Sequence, residues 1–129
     1  MPTLPWTKVQ DPPPDRDVVV LASRLELRSL RTVPGFLRAA MAVRRQVRRT
    51  EGALGVSLIA QPTRKTFFTL SAWADQAALD EFVRTRPHRD VMARFPPKMR
   101  GSTFVTWTMP GDELPVDWRV AKERIAGAG

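Results

Sequence analysis

Cysteine is absent from this chain of 129 residues, and histidine occurs once, at position 88. The absence of cysteine excludes a disulfide framework, a thiolate metal site and a cysteine nucleophile. One histidine is too few for a multi-histidine metal site within one chain, and we predict no metal site. No apolar run approaches the roughly 20 residues that span a bilayer. The proline-rich, polar N-terminus does not have the pattern of a signal peptide, so we expect a cytoplasmic protein without a membrane span.

The motifs of several enzyme classes are missing as well. The sequence contains no GxGxxG or GxxxxGK[ST] phosphate loop, no close pair of acids for glycoside hydrolysis, and no nucleophile-elbow context around its serines. The net charge of +8 is carried mainly by arginine. Such a charge is typical either of an anionic partner or of an arginine-rich surface. Because the basic residues lie in no nucleic-acid motif, we do not expect a nucleic-acid partner.

The length and the hydrophobic fraction of 43% indicate one domain with its own core. We divide the chain into an extended, proline-rich arm (1–16), a main domain (17–110) and a tail with a short helix (111–129). Hydrophobic periodicity in the main domain predicts strands at 17–27, 56–60, 66–73 and 102–109. It also predicts a helix at 34–51 and a second helix, broken near Pro87, between the last two strands.

This order of elements is βαββαβ, which is the ferredoxin-like order. It predicts an α+β fold in which a four-stranded antiparallel sheet carries its helices on one face. The strands are apolar on both sides, however, and a soluble monomer rarely exposes a large apolar surface. We therefore predict a homodimer in which two sheets pack together as a dimeric α/β barrel.

His88 is the first candidate for a chemical role, because it shares an apolar helix face with Val91, Met92 and Phe95. It is suited to act as a general acid or base, as a proton shuttle or as an axial ligand of heme iron. The alternative is a histidine that hydrogen-bonds locally at the start of a helix and packs beside Met92.

The other candidates are ligand-contacting residues near this histidine. We predict that Trp73, Phe36, Phe68 and Met92 form the walls of an apolar pocket; the alternative for Trp73 is a place in the core or at the dimer interface, where such tryptophans are found more often. Arg24, near the polar end of the first strand, is positioned to meet an anionic group of a ligand or to form a salt bridge with an acid such as Glu26.

One stretch of the chain also resembles a known group of proteins. The run FTLSAWAD at 68–75, followed by Ala78-Leu79, Phe82-Val83 and Pro87-His88, resembles the antibiotic biosynthesis monooxygenase-like superfamily of dimeric α/β barrels. The resemblance covers about 17–109. The segment RRQVRRTEGALG at 44–55 is similar to the spheroidene monooxygenase-like branch of that superfamily.

The resemblance implies a cavity between the helices and the sheet that accepts a small organic molecule or heme. Some members of the superfamily oxidise polycyclic phenols without a cofactor, and others degrade heme. Heme-degrading members carry a histidine where this chain has Met92, and an asparagine of their first strand has no counterpart here. Heme degradation of that kind is therefore not expected, and the cofactor is left open as none or heme.

Together these observations predict an oxidoreductase: a small homodimeric monooxygenase-like protein that acts on a bulky apolar molecule of secondary-metabolite, polyketide or carotenoid type. His88 would be its catalytic residue. Two alternatives remain open. One is a heme- or small-ligand-binding protein without turnover, and the other is a basic interaction protein that uses the arginine-rich face of the first helix.

Overall fold

The structure, a computed structural model, describes residues 3–128. Within that range the chain forms five strands and four α-helices. The strands are β1 (Thr3–Lys8), β2 (Asp17–Leu27), β3 (Ala53–Gln61), β4 (Thr66–Trp73) and β5 (Met99–Pro110). The helices are α1 (Val33–Arg49), α2 (Gln76–Arg84), α3 (His88–Arg94) and α4 (Trp118–Ala128). In this range no helix is both long and apolar enough to cross a membrane.

The strands form one antiparallel sheet in the order β1-β3-β4-β2-β5. Strands β2 to β5 have the ferredoxin-like arrangement that the sequence predicts, and the α+β class is confirmed. The sheet has five strands and not the predicted four, because part of the proline-rich arm pairs with β3 as an edge strand. Pro5 is tolerated there since an edge strand can lack one ladder hydrogen bond.

Trp6 explains why the arm lies against β3. Its indole ring covers Gly55 so closely that a Cβ atom at that position would overlap the ring. A glycine is therefore required at 55 for the indole to reach the sheet. The resulting contact adds a large aromatic surface to the apolar cluster formed by β2, β4 and α4.

The two faces of the sheet carry different layers. We call the side that carries α1, α2 and α3 the helix face; it presents Val19, Val56 and Trp73 to residues such as Leu79 and Phe82. At its other end the ring of Phe36 packs against Phe67 and Phe95, with centroids at 4.7 and 5.2 Å. Side chains alternate along β2 and β4 as the sequence predicts, so the remaining positions face the opposite side.

That opposite side, the reverse face, is covered by α4 of the same chain. Ala121 and Ile125 of α4 are buried against Val18, Val20 and Leu70 of the sheet. The helices of the ferredoxin-like order lie on one face as predicted, and α4, which the sequence analysis placed in the tail, covers the other face. Its amphipathic pattern was visible in the sequence, but nothing there indicated which face of the sheet it would cover.

Trp118 joins α4 to the rest of the reverse face. Its indole Nε1 donates to Ser57 Oγ at 3.0 Å, and Ser57 Oγ in turn donates to the carbonyl of Leu4 at 2.8 Å. The ring also packs edge-on against Phe68, with centroids 6.4 Å apart. One side chain thus links α4, the middle of the sheet and the N-terminal strand.

Candidate functional site

A cavity of about 260 Å³ lies between the helix face and helices α1 and α3. This volume is close to the lower end of the roughly 300–1,000 Å³ typical of small-molecule sites. Its walls are mainly apolar. They come from the sheet (Leu21, Leu25, Val56, Leu58), from α1 (Phe36, Ala40, Val43, Val47) and from the α3 region (Val91, Met92, Phe95). A few polar groups interrupt this apolar lining, and they define what the site can do chemically.

His88 lines the cavity because the chain breaks between α2 and α3 and restarts at this residue. Gln46 of α1, which is 9% exposed, holds the break in place. Its Oε1 accepts a hydrogen bond from the backbone amide of His88 at 2.8 Å. Its Nε2 donates to the carbonyls of Phe82 and Thr85, both at 3.2 Å. One amide side chain therefore positions the histidine relative to α1.

The imidazole of His88 is held in one orientation. Its Nδ1 lies 3.3 Å from the carbonyl oxygen of Val83, and its ring packs against Phe82 with centroids 4.8 Å apart. A carbonyl only accepts, so Nδ1 carries the hydrogen and Nε2 is left as the basic nitrogen. Burial lowers the pKa of His88 below 6.5, and the hydrogen bond to Val83 opposes this only in part. At neutral pH the ring is therefore uncharged and able to accept a proton.

The floor of the cavity carries hydroxyl groups. Ser23 of β2 and Thr69 of β4 face each other and share a short hydrogen bond between their hydroxyls. Ser71 Oγ, two positions along β4, accepts a hydrogen bond from the indole Nε1 of Trp73 at 2.9 Å. Since a hydroxyl both donates and accepts, Ser71 retains a hydrogen that it can donate to a ligand oxygen.

Arg44 of α1 supplies the one guanidinium group among the cavity-lining residues. Its Nη2 donates to Thr7 Oγ1 of β1 at 2.8 Å. This contact draws the N-terminal strand to the rim of the cavity. Arg44 thereby brings a permanent positive charge to a wall that is otherwise apolar.

The predicted site residues fall into three groups. His88, Phe36 and Met92 all line the cavity. Trp73 is fully buried beneath it, where it stacks on Phe82 at 4.7 Å and orients Ser71.

Phe68 and Arg24 lie on the reverse face, because their positions in β4 and β2 point away from α1 and α3. Phe68 packs against Trp118. The guanidinium of Arg24 pairs with Glu26, its Nε lying 3.3 Å from a carboxylate oxygen, so it takes the salt-bridge alternative. Neither residue lines the cavity on the helix face.

Three polar features were not identified from the sequence as parts of a site. The sequence placed Arg44 on the flank of an arginine-rich helix, and it gave no role to Gln46. The hydroxyls of Ser23, Thr69 and Ser71 were not assigned to a site. A usable signal did exist: each of these residues interrupts an otherwise apolar face, and buried polar groups in such positions need partners.

An uncharged histidine, free hydroxyl donors and a guanidinium around an apolar space can bind a compact organic molecule and withdraw a proton from it. Negative charge that develops on the molecule can be met by the donors of the wall. Together, the ferredoxin-like fold and this cavity define a small α+β protein with an apolar cavity between its helices and its sheet.

Comparison with known proteins agrees with this class. Residues 33–94, which run from α1 to the end of α3, match the family described as antibiotic biosynthesis monooxygenase. The resemblance found in the sequence is therefore confirmed over this part of the chain. The spheroidene monooxygenase-like branch stays a prediction. No curated protein matches the chain.

Solved structures of the same fold include proteins from bacteria and an archaeon. SnoaB of Streptomyces nogalater, described as a cofactor-independent oxygenase, is 13% identical, with 73% of this chain and 94% of that chain covered and a TM-score of 0.61. A Nitrosomonas europaea protein, proposed to be an antibiotic biosynthesis monooxygenase, is 12% identical, with 71% and 89% covered and a TM-score of 0.64. A conserved protein of Methanosarcina mazei Go1 is 11% identical, with 70% and 90% covered and a TM-score of 0.62. At these identities the likeness shows the fold alone.

Proposed function

We propose that this monooxygenase-like protein oxidises a compact apolar molecule in the cavity on the helix face, with His88 as the base. The observation that supports it most is an uncharged imidazole, fixed by Gln46 and Val83, on an apolar wall. The family match and the description of SnoaB as a cofactor-independent oxygenase favour chemistry that needs only oxygen and an acidic substrate. The cavity volume favours a molecule of few rings over the bulky substrate that the sequence predicts.

The proposed reaction begins with proton transfer from the substrate to His88 Nε2. The acidic hydrogen lies on a methylene carbon activated by a neighbouring carbonyl or aromatic ring. The resulting carbanion passes electrons to molecular oxygen. One oxygen atom becomes the new carbonyl oxygen of the substrate, and the other leaves as water with the two hydrogens of the methylene group. The four electrons that oxygen gains come from the two broken C–H bonds.

Heme does not fit the cavity as the chain folds. A porphyrin is larger than an ordinary drug-sized ligand, whereas about 260 Å³ is small even for such ligands. His88 Nε2 alone would suit an iron atom, but the surrounding walls do not leave room for the macrocycle. No step of the proposed reaction is therefore assigned to heme, and we expect the purified protein to show no heme absorbance between about 350 and 700 nm.

Oxygen uptake with activated methylene compounds tests this function. The probes are 2-indanone and the larger anthrone, with labelled oxygen gas and mass analysis of the product. We expect one labelled oxygen atom per product molecule. His88→Gln should lower the rate by about 10²–10⁴-fold, the usual contribution of a general base. Arg89→Gln, an exposed neighbour on α3, is the matched control and should leave the rate unchanged.

Two results would argue against this function. Turnover that survives in His88→Gln would remove the histidine from the reaction. Saturable binding of the probes without any oxygen uptake would instead support the alternative of a small-ligand-binding protein without turnover.

We also propose that the chain forms a homodimer. The reverse face is occupied by α4, so packing two sheets face to face would require that helix to move. A contact between the edge strands of two sheets would leave α4 in place. Within residues 3–128 no strand pairs with the outer edge of β5, which is 12 residues long. Phe104 on this strand is 45% exposed. Open edges of this length are normally covered or paired.

The molar mass in solution tests the dimer. Light scattering should give twice the 14.6 kDa of one chain for the wild type. Phe104→Lys should give a monomer, because a charge would enter the contact. Thr108→Lys, on the same face of β5 and also exposed, is the control and should stay dimeric. A wild-type mass of one chain at high concentration would contradict the proposal.

A further inference from the structure

Arg44 differs from the other arginines of α1 in its surroundings. Arg38, Arg45, Arg48 and Arg49 are exposed, whereas Arg44 is partly buried and lines the cavity. Its Nη2 is satisfied by Thr7, but its Nε is buried and has no hydrogen-bond partner. Within residues 3–128 no other buried side-chain nitrogen or oxygen is left in this condition.

The charge of Arg44 is also uncompensated. The ion pairs of the described residues are Lys8–Asp11, Arg24–Glu26, Arg84–Glu81, Arg86–Asp90 and Arg100–Glu26, and none of them includes Arg44. A buried donor without an acceptor is costly, and more so when it belongs to a charged group. A guanidinium binds anionic oxygen most strongly, through short charge-assisted hydrogen bonds.

We propose that the ligand of the cavity carries an anionic oxygen group on an apolar body and that Arg44 binds this group. The inference rests on the proposed function, because it concerns the same cavity, and it adds the chemical class of the substrate. The apolar body lies against residues such as Leu21, Val56 and Val91, and the anionic oxygen binds the guanidinium of Arg44, whose side chain turns toward the cavity so that its buried Nε gains an acceptor. Neutral analogues lose that contact.

Two kinds of oxygen group share this chemistry: a carboxylate, which is already charged, and a phenol or enol that ionises on binding. 1-Naphthoate represents the first, 1-naphthol the second, and 1-naphthalenemethanol is the neutral control of the same ring size. Calorimetry gives the three affinities at neutral pH. The absorbance of bound 1-naphthol reports whether it has ionised.

For the wild type we expect at least one of the two acidic probes to bind tenfold or more tightly than 1-naphthalenemethanol. Preference for naphthoate identifies the carboxylate, and an ionised bound naphthol identifies the phenol or enol. Arg44→Met should abolish the preference and leave the affinity for the neutral alcohol within about twofold. Arg45→Met removes the same charge from the exposed side of α1 and should retain the preference, which separates direct contact from the general positive field of the protein.

Equal affinity of all three probes for the wild type, or an unchanged preference in Arg44→Met, would overturn the inference while leaving the cavity as a binding site. Failure of every probe to bind would overturn the proposed function along with it. If Arg44→Met does not fold, Arg44→Lys replaces it: lysine retains the charge but lacks Nε, so the preference should fall at least threefold. An undiminished preference in that variant would also overturn the inference.

Discussion

Replacing Gln46 by leucine tests how the cavity is built, because this side chain joins α1 to the break between α2 and α3. The substitution keeps a similar volume and removes three hydrogen bonds. The carbonyls of Phe82 and Thr85 each keep a second partner, the amides of Thr85 and Arg89 at 3.1 Å. Among residues 3–128 the amide of His88 has no other acceptor, so the main loss falls on the residue that we assign as the base.

The expected loss in the free energy of unfolding follows from these three hydrogen bonds. Leaving one amide unsatisfied costs about 1–3 kcal/mol, and each of the other two hydrogen bonds is worth about 0.5–1.5 kcal/mol. The amide is only partly buried and leucine adds apolar burial, so we expect a net loss of about 2–3 kcal/mol. For a domain of this size that corresponds to a fall in Tm of about 10 °C.

Urea unfolding and thermal melts of Gln46→Leu measure the loss. Gln76→Leu is the matched control, because Gln76 is exposed and its Nε2 donates to the exposed Asp80 at 3.0 Å. Its free energy of unfolding should stay within about 0.5 kcal/mol of the wild type. If Gln46→Leu were as stable as this control, the assigned role of Gln46 in joining the helices would be refuted.

Three further predictions concern stability. Because the pKa of His88 is lower in the folded state, the unfolded chain binds protons more readily, and the free energy of unfolding should fall as the pH drops below about 6.5. Urea unfolding at pH 7.5 and 5.5 should show a smaller fall in His88→Gln than in the wild type. An equal fall in the two proteins would contradict this assignment. Gly55→Ala should cost about 1–3 kcal/mol through its clash with Trp6, and thermal melts should find this cost largely absent in a Trp6→Ala background. Trp118→Ala should cost about 3–5 kcal/mol in denaturant unfolding, and a loss below 1 kcal/mol would remove α4 from the core.

Much of the fold was predictable because local signals agree with the tertiary structure. The alternation along β2 and β4 set their two faces. Asp75 caps α2 as the sequence indicates, with its Oδ1 accepting from the amide of Ala78 at 2.8 Å. The break at Pro87 separates α2 from α3 and brings His88 to the start of a helix, as predicted.

The structure differs from the sequence-based predictions where the position of an element depends on contacts between residues distant in sequence. Strand β1 lies in a proline-rich arm with weak strand propensity, and it is held by pairing with β3 and by Trp6 on Gly55. The position of α4 depends on which face of the sheet is left uncovered. The covering of the reverse face was assigned from the sequence to a second chain. The sequence shows that this face is apolar, but it does not show that α4 covers it.

The candidate site could be predicted in part. Helical spacing grouped His88 and Met92 on one face, and the structure places both of them, together with Phe36 of α1, in the lining of the cavity. Their roles in binding and catalysis stay predictions. Arg44 interrupts an apolar helix face in the sequence, but its contact with Thr7 of β1 joins residues distant in sequence and could not be predicted from that pattern. The hydroxyls of Ser23 and Thr69 come together through strand register, and single-strand patterns do not contain that information.

The most direct measurement of the central claim is a nuclear magnetic resonance titration of the imidazole of His88. The chain contains one histidine, so its ring signals need no further assignment. As 1-naphthalenemethanol is added, these signals should shift and saturate with the affinity found by calorimetry. In a separate pH titration without ligand, the midpoint of the same signals should lie below 6.5. Saturable binding that leaves the ring signals unchanged would place the ligand elsewhere and contradict the assignment of this cavity as the functional site.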